Sequence, residues 1–75
     1  MVKQDITTEV MEYMVWVVEL IADEFFNGHK TRAYNVMNEL GIWDFYIQNY
    51  DITHTLSAGN IIGEVREILT VKEVI

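Results

Sequence analysis

Residues 8–26 read TEVMEYMVWVVELIADEFF. Val and Ile are frequent there, which on composition alone would suit a strand. The spacing decides otherwise. At about 100° per residue, Val10, Met14, Val17, Val18, Ile21, Ala22 and Phe25 share one broad face. Glu12, Glu19 and Asp23 fall opposite. Thr7 or Thr8 can cap the start, Glu9 suits the positive end of the helix dipole, and Asn27-Gly28 can end the helix in left-handed backbone. The stretch predicts a long amphipathic helix.

The rest of the chain punctuates itself in the same way. Thr31 to Leu40 predicts a second helix with Ala33, Tyr34, Val36, Met37 and Leu40 on its apolar side, stopped by Gly41. Ile42 to Tyr50 predicts a third, with Ile42, Phe45, Tyr46 and Tyr50 as its core stripe. The segment DITHTLSAGN (51–60) breaks the pattern, and Thr55 or Ser57 can cap the next helix. That fourth helix carries Ile61, Ile62, Val65, Ile68 and Leu69 as a stripe. Gly63 within it costs up to about 1 kcal/mol relative to alanine. The tail TVKEVI (70–75) reads equally as more helix or as an extended arm. The expected fold is all-α: one domain of three to four helices over residues 1–75, with its core in 8–69. An α+β arrangement with the tail as a strand is the runner-up.

Composition limits what such a domain does. With 75 residues, no cysteine and 51% apolar residues, there is no disulfide framework, and there is more apolar material than so small a body covers comfortably. Association is the common remedy, so a homodimer or a partner protein is expected. Formal net charge is −7, and the bases Lys3, Lys30, Arg32, Arg66 and Lys72 are scattered. Nucleic acid is not an expected ligand, because phosphate recognition needs clustered bases. Mimicry of a phosphate row is disfavoured too, since the acids are spread along every helix. The apolar part of residues 1–26 is interrupted by Glu9, Glu12, Glu19, Asp23 and Glu24. It lacks the roughly 20 apolar residues of a membrane span and the uninterrupted core of a secretory signal. A cytoplasmic location follows as the default.

Two features are candidates for function. Trp16 and Leu20, with Tyr13 beside them, lie among carboxylates on the face that should be solvated. Aromatic anchors rimmed by charge are the composition of a contact surface, although a second helix or the tail could equally cover them. His54 is the other. With Asp51 or Ser57 it could serve a minimal hydrolase or transferase, but such chemistry needs all three to converge on a cleft. Zinc would need three or four ligands, and only His29 and carboxylates are available, without recognisable spacing. No metal, cofactor or catalytic residue is expected. The glycines at 28, 41, 59 and 63 form no phosphate loop. Tyr50, His54 and Thr55 read more simply as a structural turn, in which ring and hydroxyl satisfy backbone groups.

The stretch AYNVMNELGIWDFYIQNYDITHTLSAGNIIGEV (33–65) resembles a family of short bacterial proteins known as a domain of unknown function. Tyr34, Gly41, Asp44, Phe45, Tyr50, His54 and Thr55 carry the resemblance, which spans residues 10–69. Thr53 stands where that family usually has Leu, and a glycine expected soon after the threonine is displaced to Gly59, so identical turn geometry is not implied. The resemblance implies a neighbouring gene product that is ADP-ribosyltransferase-like, and hence an antitoxin-like or assembly role. It supplies no catalytic residues.

Overall fold

The computed structural model describes residues 8–75. They form five helices and no strand: α1 (Thr8–Phe25), α2 (Lys30–Glu39), α3 (Ile42–Gln48), α4 (Tyr50–Thr53) and α5 (Ala58–Val71). The domain is all-α, and α1 is its axis, packed against α2, α3 and α5. Six of the seven apolar positions that define the face of α1 are buried. The seventh, Phe25, is half-buried, and Phe26 takes the inner place. Ala33 and Met37 of α2, Ile42, Tyr46 and Ile47 of α3, and Ile61, Val65 and Leu69 of α5 close the core around it.

The helix stops have local causes. Asn27 and Gly28 both adopt positive φ (54° and 82°), and the Gly28 N–H turns back to the Ala22 carbonyl. This suits two residue types that tolerate left-handed backbone. Gly41 (φ 78°) ends α2 and starts α3. Ser57 is the N-cap of α5, its Oγ accepting from the Asn60 N–H at 3.2 Å. Thr55 is not that cap; its hydroxyl donates to the Ile52 carbonyl. Thr7, the alternative cap of α1, lies outside the described residues.

Two sequence expectations change, and one left open is decided. The helix expected over 42–50 breaks at Asn49, whose side-chain amide donates to the Phe45 carbonyl at 2.8 Å. A single turn, α4, comes next. The buried side of α3 consists of Ile42, Tyr46 and Ile47, so Phe45 is 55% exposed rather than part of the core. Residues 70–75 are neither arm nor strand. The helix runs to Val71, Glu73 takes a left-handed φ of 62°, and the Val74 and Glu73 N–H groups bond back to the Leu69 and Thr70 carbonyls. This is a Schellman stop, with Val74 packed on the core as its apolar partner.

Gly63 has an answer as well. A β-carbon there would meet nothing within 4 Å, and its φ is not in the left-handed range. No close approach requires the glycine. Gly63→Ala is expected to stabilise the domain by about 0.5–1 kcal/mol, seen as a higher urea midpoint. An unchanged or lower midpoint would mean that the α5 backbone has a role that the isolated chain does not reveal.

Candidate interaction surface

Helix α1 presents a ridge of exposed Glu12 and Asp23 with half-buried Glu19 between them. An apolar flank lies on each side of it. On the first flank are the three residues singled out in the sequence, and the structure treats them differently. Tyr13 is half-buried; its hydroxyl donates to the Thr53 carbonyl at 2.9 Å, and its ring meets Tyr50 edge-on with centroids 5.3 Å apart. Leu20 is half-buried against the core. Trp16, 6.0 Å from the Tyr13 ring, is 41% exposed. Tyr13 is therefore a fixed base beneath an available indole.

The second flank was not visible in the sequence. Val15 (51% exposed) and Val18 of α1, Tyr34 of α2 and Trp43 of α3 line a groove of about 350 Å³. Tyr34 and Trp43 meet edge-on at 4.9 Å, which fixes both rings. At the rim Lys30 Nζ lies 3.1 Å from Glu19 Oε2, and Thr31 completes the edge. Both charged groups are exposed, so the pair contributes little to stability. The available signal was two aromatic residues, Tyr34 within α2 and Trp43 in the first turn of α3, but their spacing did not show that they would meet beside Val15.

The His54 ring stacks on Tyr50 at 4.8 Å, and its Nδ1 is hydrogen-bonded to the Tyr50 carbonyl oxygen. Thr53, notable in the sequence only as a departure from the family pattern, is the hub. It is 2% exposed, its Oγ1 donates to the Tyr46 carbonyl at 3.0 Å, and its own carbonyl receives Tyr13. Among the described residues no hydrogen bond joins His54 to Asp51 or Ser57; all three are exposed, and Ser57 is occupied as a helix cap. His29 and Lys30 are exposed at the start of α2.

Tyr46 crosses from α3 to α5, where its hydroxyl donates to Glu64 Oε1 at 2.7 Å. Burial above all, and then this bond, push its phenol well above the ordinary value. Burial likewise raises Tyr13. Both phenols therefore hold their protons more tightly folded than unfolded. Their contribution to stability is complete below about pH 10, the unfolded value, and is lost as pH rises above it. Urea midpoints are expected to fall above about pH 10, and less steeply in Tyr46→Phe. Equal slopes would show that the phenol is not the titrating group.

Fold and surface together define a small all-α domain with an aromatic-flanked outer helix. The family model described as Protein of unknown function (DUF3791) matches residues 12–72, and the chain belongs to that family. No curated protein and no solved structure matches it. Among the described residues no helix is long and apolar enough to cross a membrane.

Proposed function

We propose that this domain is a small acidic protein–protein interaction module. It acts by occlusion, laying the outer side of α1 against a basic face of its partner. That partner is a second copy of the chain or, in an antitoxin-like or assembly pair, a neighbouring bacterial protein in the cytoplasm. The reading rests chiefly on one observation. Trp16 stands exposed on a rigid tyrosine base, across a carboxylate ridge from a preformed apolar groove. Fixed aromatic anchors with a charged rim are where interface energy concentrates, while the carboxylates speed and orient the encounter.

The test is light scattering of the pure protein over a concentration series, together with capture of the neighbouring gene product. Trp16→Ala should weaken whichever association is found by about 2 kcal/mol, roughly thirtyfold. Val15→Glu should do the same from the other flank. If both variants leave oligomeric mass and capture unchanged, the surface is wrongly placed.

A further inference from the structure

A second cavity, of about 270 Å³, opens where the end of α2 meets α3 and α5. It shares no residue with the α1 groove. Its walls are apolar: Leu40, Ile42, Phe45 and Ile68. Its polar groups are Glu64 and the Tyr46 hydroxyl that holds it. Neither ion pair among the described residues involves Glu64. Gly41, where α2 ends and α3 begins, completes the lining, and there the opposite dipole ends of the two helices offset each other. An exposed carboxylate, oriented by a tyrosine hydroxyl, therefore lies beside an aliphatic and aromatic wall. That pairing suits a cation on an apolar stem.

We propose that this cavity is a subsite for a lysine side chain of a partner protein. Its ammonium meets Glu64, and its methylenes lie along Leu40, Phe45 and Ile68. Lysine is favoured over arginine for a geometric reason. One Glu64 oxygen already accepts from Tyr46, so the parallel fork of a guanidinium would need that oxygen to accept a second bond, whereas an ammonium needs only the free one. The chain's acidity works in the same direction, drawing basic surfaces toward it.

The test is an amide chemical-shift titration of the whole chain with Nα-acetyl-lysine N-methylamide at about 0.15 M salt, where diffuse attraction is screened. The norleucine and arginine counterparts are run beside it. Saturable shifts are expected at Gly41, Phe45, Glu64 and Ile68 in the millimolar range usual for so small a ligand. Binding of lysine should be about fivefold tighter than that of norleucine, and Glu64→Gln should remove that difference. The amide oxygen introduced by this substitution can still accept from Tyr46, so the fold should persist, and an unchanged amide spectrum of the free variant checks this. Phe45→Ala provides a second variant that weakens the apolar wall and leaves the charge. Shifts that do not localise, that are equal for norleucine, or that survive Glu64→Gln would overturn the subsite. Arginine binding tighter than lysine would overturn that preference. A dimer that Glu64→Gln converts to monomer would give the cavity to a second copy instead of a different protein.

Discussion

Ile21→Ala is expected to remove a large part of the domain's stability. Ile21 is fully buried on the inner face of α1, the helix around which the others pack. Truncating such a side chain costs about 2–5 kcal/mol, because the transfer energy is lost and the cavity only partly collapses. A chain of this length has about 4–11 kcal/mol in total. The variant should therefore sit close to its unfolding transition, with a sharply lowered urea midpoint and early loss of helical circular dichroism. Ile52→Ala is the natural control. It removes the same atoms from a position that is 61% exposed, and it should shift stability by less than about 0.5 kcal/mol. Comparable losses for the two would mean that the packing around α1 is wrong.

Thr53→Val should have the next largest effect, although it changes neither volume nor shape appreciably. The valine cannot donate to the Tyr46 carbonyl, which lies near the end of α3. A buried acceptor left without its donor costs about 1–3 kcal/mol. The substitution also loosens the carbonyl on which Tyr13 rests, so the base beneath Trp16 should lose order. Indole fluorescence would register this separately from the urea midpoint. His54→Ala should cost less than Thr53→Val, since His54 is exposed and its ring can be replaced by water. A larger loss at His54 would make the histidine, rather than the threonine, the fixing group of this turn.

The contrast between Thr53 and His54 shows where sequence reading reached its limit. Histidine draws notice by its chemistry, and its structural use was expected on general grounds. Nothing in YDITHT marks Thr53 as buried, because a hydroxyl reveals its bonds only when the carbonyl opposite is known. Phe45 shows the same limit from the other side. Its spacing from Ile42 and Tyr46 fits a core stripe, yet α3 buries the side that carries Ile42, Tyr46 and Ile47, which leaves Phe45 outside. The α1 surface was half legible. Trp16 stood out as an indole among carboxylates, but the fixing of Tyr13 and the groove beside Val15 depend on residues up to 40 positions away.

The sequence by itself determined the all-α class, the face of α1 and the stops at Asn27, Gly28 and Gly41. These follow from helical periodicity and from backbone conformations that few residues adopt, and both are local. Only the tertiary structure decided the aromatic groove and the carboxylate that Tyr46 holds at the end of α2. Each of these is made by side chains from different helices, and their meeting is set by how the helices pack rather than by what any one of them contains.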